Sequence, residues 1–259
     1  MNYEDLGKQI SNKGIGYAIV RGLFSSEEID RYRNECNEYI KKGRKVYARI
    51  IRDDLPDYVH PRTVFEDGTI GTPDMPASNW RIYQYFHNKH TDETESFFKK
   101  VLTIRDRIEQ QWEDVPGYLS EKQKLINYNI VTKYIESSNG LPKHIDYRGE
   151  APFPFIQSVV LLSTPEIDYK GGDFILYSKD GSKVSLQNDL KMEKGDVFFF
   201  DKSLPHEVLP TEISEASNIG RWSVLIGARA KKRGSRFDLI KYSHPISMAK
   251  IKLKKLLDR

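Results

Sequence analysis

The second half of this sequence contains the stretch GDVFFFDKSLPHEV (residues 195–208). It contains a short apolar run, Val197 to Phe200, which predicts a strand. A turn through Leu204 and Pro205 follows, and His206 comes directly after it. A turn of this kind can aim a side chain inward, so we predict that His206 is a functional residue.

Strand-like runs of this kind begin at residue 126. Short strand-like runs separated by turn signals predict a β-sandwich or barrel, since helices and strands do not alternate in this part of the sequence. The predicted strands are residues 126–134, 155–162, 172–177, 184–186, 196–200, 207–209 and 222–228.

The first half is mixed. Residues 16–20 predict a strand, Ser25 and Glu28 form a capping box for a helix through about Ile40, and Ile82, Tyr83 and Tyr85 suggest another strand. Residues 43–80 are rich in Pro, Asp and Gly without clear periodicity, which favours an irregular functional loop that lies over the site as a lid. A second helix is expected from Asp92, as its N-cap, to about Trp112.

His144 and Asp146 form a His-x-Asp pair upstream of His206. Residues two apart in a strand face the same way, so both side chains can bind one ion. Two imidazoles and one carboxylate make the facial triad of non-haem Fe(II) oxygenases. The tripeptide alone is weak evidence, because His90-Thr91-Asp92 repeats it at the start of a predicted helix.

The ordered series of motifs gives greater specificity. His144-x-Asp146, Gly-Gly-Asp-Phe (171–174), residues 195–201, Pro205-His206-Glu207-Val208 and Arg221-x-Ser223 together resemble the 2-oxoglutarate/Fe(II)-dependent dioxygenases, especially the prolyl-hydroxylase-like branch. The resemblance covers about residues 125–230. It implies a mainly β fold with flanking helices around a double-stranded β-helix (jelly-roll, cupin-like) core. It also implies the use of Fe(II), 2-oxoglutarate and O2.

The resemblance further implies residue roles. His144, Asp146 and His206 would bind the iron, and Arg221 would bind the distal carboxylate of 2-oxoglutarate with help from Ser223. The planar guanidinium matches a carboxylate, and a hydroxyl two residues along a strand faces the same way. Tyr128, with Asn129, is a further candidate for contacting 2-oxoglutarate, although an aromatic residue in the core is as good an interpretation. The long spacing from His206 to Arg221 is assigned to a surface loop at residues 211–218.

The predictions about the substrate rest on weaker sequence similarity than those about the iron site. Radical halogenases of this superfamily have a small residue where Asp146 stands, so hydroxylation is expected and halogenation is not. Residues 79–86 resemble the small, carrier-free hydroxylases and halogenases that act on free lysine and related amino acids. Arg81 is then the candidate for the substrate carboxylate, and pairing with a structural acid is an equal alternative. Trp222 is a candidate for lining the cavity, although core packing is its default role.

Two alternatives from other classes stay open. One is an oxygenase that hydroxylates side chains of a protein or peptide. The other is a jelly-roll binding module without turnover, which the intact triad and Arg221 disfavour. Measuring succinate release separates an enzyme from a binding module.

Composition agrees with one soluble domain. The protein has 259 residues, 38% of them hydrophobic, and a net charge of +4. We divide a single domain, 1–259, into an N-terminal part (1–125), a jelly-roll core (126–230) and a C-terminal amphipathic helix (231–259). No apolar run reaches membrane length and no signal peptide is evident, so a cytoplasmic protein without nucleic-acid or membrane partners is expected. Cys36, the single cysteine, is expected to be buried and inert.

Overall fold

The computed structural model describes residues 1–11, 13–42, 44–52, 55–64, 70–74, 79–85, 91–110, 125–134, 137, 140–146, 156–215, 217 and 219–230. Within these ranges, side chains are described except at residues 39–81, 83–85, 125, 126, 128 and 228–230. The predicted C-terminal helix at 231–259 lies outside the described residues.

Three helices and fifteen strands make up this part of the protein. The helices are α1 (Tyr3–Ile10), α2 (Ser26–Lys42) and α3 (Asp92–Glu109). The strands are β1 (Tyr17–Val20), β2 (Arg44–Arg52), β3 (Leu55–Val64), β4 (Ile70–Asp74), β5 (Asn79–Tyr85), β6 (Leu125–Tyr134), β7 (Leu141–His144), β8 (Ile156–Leu161), β9 (Tyr169–Gly171), β10 (Phe174–Tyr177), β11 (Lys183–Ser185), β12 (Val197–Asp201), β13 (His206–Val208), β14 (Thr211–Ile213) and β15 (Arg221–Ala230).

The strands form two facing antiparallel sheets. The large sheet has the order β1-β12-β8-β15-β6-β5-β4-β3-β2, and the small sheet has the order β11-β10-β13-β7. A two-stranded sheet joins β14 to β9. Because the side chains of a strand alternate between faces, the large sheet contributes to two separate cores.

The first core lies between the large sheet and the helices. It includes Tyr32, Phe98, Val131, Trp222 and Val224. The second core lies between the two sheets and is rich in aromatic and aliphatic side chains; its members include Val159, Leu161, Phe174, Leu176, Phe198 and Phe200. The fold is therefore mainly β with flanking helices around a jelly-roll core, and this prediction is confirmed.

The predicted capping box at the start of α2 is confirmed. The Ser25 backbone N–H donates to Glu28 at 2.8 Å, and the Glu28 N–H donates to the Ser25 hydroxyl at 3.3 Å. The predicted cap of α3 is wrong by one residue. Thr91 is the N-cap and accepts from the Thr94 N–H, while Asp92 is the first helical residue. A hydroxyl and a carboxylate can both cap, so the sequence alone favours neither.

The prediction of an irregular loop at residues 43–80 is wrong for the residues of this range that the structure describes. Their described parts form β2, β3 and β4 and the start of β5, paired in sequence order as antiparallel neighbours. The expectation of a surface loop at 211–218 is also corrected in part, because 211–213 form β14. Both errors have one cause: pairing with a neighbouring strand satisfies the backbone without requiring a periodic sequence.

The remaining expectations concern single features. Cys36 is buried, as predicted, and burial together with the nearby Glu35 charge raises the pKa of its thiol. No helix in the described ranges is both long and apolar enough to cross a membrane.

Candidate active site

The small sheet brings the two motif histidines side by side. His144 ends β7, His206 begins β13, and the two residues are register partners in the antiparallel ladder. Their ring centroids lie 4.3 Å apart. The backbone turns after His144, so Asp146 faces both rings: its Oδ1 lies 3.6 Å from His144 Nε2 and its Oδ2 lies 3.5 Å from His206 Nε2.

Each imidazole is fixed by a carbonyl two residues upstream. His144 Nδ1 lies 2.8 Å from the Pro142 oxygen, and His206 Nδ1 lies 2.9 Å from the Leu204 oxygen. A carbonyl can only accept, so Nδ1 donates to it and Nε2 is the ring nitrogen that faces Asp146 and can bind a metal. His206 is 2% exposed and packs between Phe174 and Phe200, whereas the His144 side chain is 32% exposed.

The carboxylate of Asp146 is also held by an amide. Gln157 Nε2, from β8 of the facing sheet, donates to Asp146 Oδ2 at 2.5 Å. Burial by itself raises the pKa of the Asp146 carboxyl, but hydrogen bonding and charge interaction with His206, the Gln157 bond and the charge of His144 lower it to about 2. The carboxylate is therefore ionised at neutral pH, as a metal ligand must be.

The three side chains suit a divalent metal ion. One ligand atom from each of His144, Asp146 and His206 can be chosen so that all lie within 4.8 Å of one another. The Asp146–histidine separations of 3.5 and 3.6 Å are close to the roughly 3 Å between adjacent ligand atoms bound at about 2.1 Å from one ion. Two neutral nitrogens and one carboxylate are the donor set of a non-haem iron centre with open positions.

A buried cation lies at a second position between the sheets. Arg221, at the start of β15, is 2% exposed. Its Nε donates to the Gly172 oxygen at 2.8 Å and its Nη1 to the Ser223 hydroxyl at 3.4 Å, and the guanidinium lies near the rings of Tyr134 and Tyr169. No carboxylate of the described residues pairs with it. A buried cation without a counter-ion is costly, so this position favours an anionic ligand.

Gly172 leaves the space that Arg221 occupies. Its φ is +61°, and a Cβ atom there would lie 2.7 Å from Arg221 Cδ and 2.7 Å from Thr211 Oγ1. Thr211 is 1% exposed, and its hydroxyl has no hydrogen-bond partner among the side chains and backbone that the structure describes. The glycine is thus required both by the backbone conformation and by the packing of two polar side chains.

The other predicted site residues lie elsewhere or are only partly described. Trp222 belongs to the helix-facing core, where its indole N–H donates to the Ile219 oxygen at 2.8 Å. It therefore lies on the opposite face of β15 from Arg221 and Ser223, which favours the core role. Tyr128 is paired with Gly227 in the sheet and Arg81 with Thr132; both side chains lie outside the described set.

Sequence reasoning missed two residues of this region. Gln157 and Ser158 are the polar residues in the otherwise apolar run at 155–162, and an amide in such a run is the signal that could have revealed Gln157. Thr211 has no such signal, because a threonine in a polar segment looks like any loop residue. Its burial depends on the pairing of β14 with β9.

Comparisons with known proteins agree with this geometry. Residues 80–208, just under half of the chain, match the model of a family described as "Oxygenase, catalysing oxidative methylation of damaged DNA". The match includes His144, Asp146 and His206. No curated protein sequence matches the chain significantly.

Solved structures share the fold at low identity. A prolyl-4-hydroxylase from Pseudomonas putida is 14% identical with a TM-score of 0.54, over 89% of this chain and 100% of that chain. A 2OG-Fe(II) oxygenase family protein from Burkholderia pseudomallei is 11% identical with a TM-score of 0.51, over 91% and 93%. The carbocyclase SnoK from nogalamycin biosynthesis, described as non-heme and alpha-ketoglutarate dependent, is 12% identical with a TM-score of 0.52, over 93% and 92%.

At these identities the structural likeness establishes the fold, while the oxygenase family model and the His-Asp-His cluster bear on the chemistry. The three observations are independent in kind: sequence profile, fold topology and side-chain geometry. Together they support the 2-oxoglutarate/Fe(II)-dependent oxygenase superfamily, and the protein is a non-haem iron dioxygenase that uses Fe(II), 2-oxoglutarate and O2.

Proposed function

We propose that this dioxygenase hydroxylates an unactivated C–H bond of a small molecule, a free amino acid such as lysine or a relative. In this proposal His144, Asp146 and His206 bind Fe(II). Arg221 and Ser223 bind the distal carboxylate of 2-oxoglutarate. The observation that carries it is the convergence of the three ligand atoms in a protein that also holds, on β15, a buried arginine without a carboxylate partner in the described ranges.

The protein's own residues supply binding and orientation. With the iron and O2 bound, 2-oxoglutarate is converted to succinate and CO2, and one oxygen atom enters the substrate C–H bond as a hydroxyl. The contacts of the two imidazoles with the backbone carbonyls of Pro142 and Leu204 fix both rings before the metal binds. The apolar residues between the sheets, such as Phe174 and Phe200, exclude water from the buried side of His206.

The spacing along the strands suits a dicarboxylate. Gln157, which contacts Asp146, and Leu161, the register partner of Ser223, are four positions apart on β8, or about 13 Å at roughly 3.3 Å per residue. This length must be spanned by the cosubstrate and the long side chain of Arg221 together. Tyr128 stays a candidate for contacting the same ligand from β6.

A carboxylate at position 146 supports hydroxylation over halogenation. A halide needs a coordination position that the Asp146 carboxylate occupies. For the substrate, the resemblance of residues 79–86 to free amino-acid hydroxylases supports Arg81 as the partner of the substrate carboxylate.

A second candidate substrate is a nucleic acid. The matched family is described as acting on damaged DNA, and the match covers the proposed iron ligands. A base carrying an N-methyl group would present a C–H bond to the same iron centre, and its hydroxylation would release formaldehyde. A peptide substrate is a third possibility, because its side chains would present the same kind of C–H bond.

One substrate panel tests these candidates. Purified protein with Fe(II), 2-oxoglutarate and O2 is given free amino acids, short peptides or an N-methylated single-stranded oligonucleotide, with succinate and product mass measured. We expect succinate release stimulated by an amino acid that gains one oxygen atom. Formaldehyde release from the oligonucleotide, or oxygen gain in a peptide alone, would reject the amino acid. Chlorinated product in chloride buffer would contradict hydroxylation.

A glycine substitution tests the proposed cosubstrate position. We expect Gly172→Ala to raise the KM for 2-oxoglutarate, because the new methyl displaces Arg221, and to cost about 1–3 kcal/mol of stability from the positive φ. Gly22→Ala is the matched control: Gly22 has a φ of +56° but no atom within 4 Å of its Cβ position. An equal KM change in both variants would show that backbone strain, not displacement of Arg221, is responsible.

A further inference from the structure

Gln157 is an unusual residue for its position. It lies on β8 with apolar neighbours, Ile156, Val159 and Val160 among them, and is completely buried. Its carbonyl oxygen Oε1 is buried and has no hydrogen-bond partner among the residues that the structure describes. Burying an amide that is only half satisfied lowers stability, so packing alone does not account for this side chain.

The orientation of the Gln157 amide is fixed by chemistry. Its Nε2 lies 2.5 Å from Asp146 Oδ2. An ionised carboxylate only accepts hydrogen bonds, so the amide must present its NH2 group there and not its carbonyl. Within the described part of the protein, this is the hydrogen bond that reaches Asp146 from outside the histidine pair.

The contact distinguishes the two oxygens of Asp146. Oδ2 accepts from Gln157, whereas Oδ1 lies toward His144 Nε2 at 3.6 Å without an amide donor. Asp146 itself follows the end of β7 and its side chain is 32% exposed, so no strand packing immobilises it. The amide from the facing sheet therefore controls the rotation of the carboxylate.

We propose that Gln157 is a positioning residue that holds the Asp146 carboxylate turned toward the two histidines, in the orientation in which it can bind the metal. This inference rests on the proposed function of the triad. A carboxylate that rotated away from the histidines would no longer offer its oxygen to the same ion. The Gln157 amide would limit that rotation by engaging Oδ2.

The test uses Co(II) as a stable probe of the metal site and Gln157→Leu as the variant. We expect Co(II) affinity to fall about 10- to 100-fold, as for other side chains that orient a ligand. We also expect a change in the visible Co(II) spectrum and a lower ratio of hydroxylated product to succinate. The melting temperature should be unchanged or higher, because leucine removes a poorly satisfied amide.

Two further variants control the result. Gln157→Asn keeps a buried amide but is one methylene too short for Asp146, so its Co(II) affinity should fall as well. Ser158→Ala changes the next residue, whose hydroxyl donates to the Ile226 oxygen at 3.3 Å, and should leave Co(II) affinity unchanged.

The outcomes separate this inference from the proposed function. Unchanged Co(II) affinity and spectrum in Gln157→Leu and Gln157→Asn would overturn the inference while the triad stands. So would a loss of affinity that parallels a lower melting temperature in both variants. A native protein that binds neither Fe(II) nor Co(II) would refute the proposed function itself.

Discussion

The His144→Ala variant is expected to lose Fe(II) binding and succinate formation. The change removes one of the three proposed ligand atoms and leaves only Asp146 and His206 to bind the metal. Because side chains that merely orient a ligand contribute about 10- to 100-fold in affinity, loss of the ligand itself should exceed about 100-fold. The measurements are anaerobic Fe(II) titration and succinate release.

Of the two histidines proposed to bind iron, His144 is the better choice for mutation. The His144 side chain is 32% exposed, whereas His206 is almost completely buried against Phe174 and Phe200. Replacing His206 by alanine would leave a cavity there and would also lower stability. Lys143→Ala is the matched control. Lys143 is exposed, and its ammonium lies over the Tyr177 ring. Iron-dependent turnover in His144→Ala with native affinity would refute its proposed role.

The Arg221→Ala variant is expected to raise the KM for 2-oxoglutarate without weakening Fe(II) binding. Removing one partner of a buried, hydrogen-bonded charge pair costs about 2–5 kcal/mol, which corresponds to roughly 30-fold to several thousand-fold in affinity. The KM of Arg221→Lys for 2-oxoglutarate should lie between the values of Arg221→Ala and the native enzyme, because lysine keeps the charge but loses the planar guanidinium group. The measurement is succinate release as a function of 2-oxoglutarate concentration.

Trp222→Phe provides the control from the same strand. Trp222 faces the helices, so the loss of its bond to the Ile219 oxygen should lower the melting temperature and leave the KM for 2-oxoglutarate unchanged. If Arg221→Ala keeps the native KM, or if Trp222→Phe raises it equally, Arg221 does not hold the cosubstrate.

Some of this protein was predictable because the signals are local. The largely apolar runs at 155–162 and 196–200 become β8 and β12, since stretches of that length and composition are buried in a folded protein. The capping box at Ser25 depends on residues three apart, and the sequence contains both of its members. The distinction between His144 and the repeat at His90-Thr91-Asp92 also came from local context, because Thr91 is the N-cap of α3.

Other features depend on contacts between distant segments. The strands within 43–80 form in a sequence without regular alternation, because β2, β3, β4 and β5 satisfy one another's backbone groups. Gln157 reaches Asp146 from the facing sheet, and Thr211 is buried beside Arg221 through the pairing of β14 with β9. No spacing rule connects such residues.

The sequence by itself determined which side chains are chemically suited to the centre: two imidazoles, a carboxylate and a downstream guanidinium in a β-rich protein. The tertiary structure decided which of them meet, how Asp146 is oriented, and that Trp222 faces the helices while Arg221 faces the space between the sheets. The physical reason is that alternation along a strand specifies relative faces, whereas which face is enclosed depends on how sheets and helices pack.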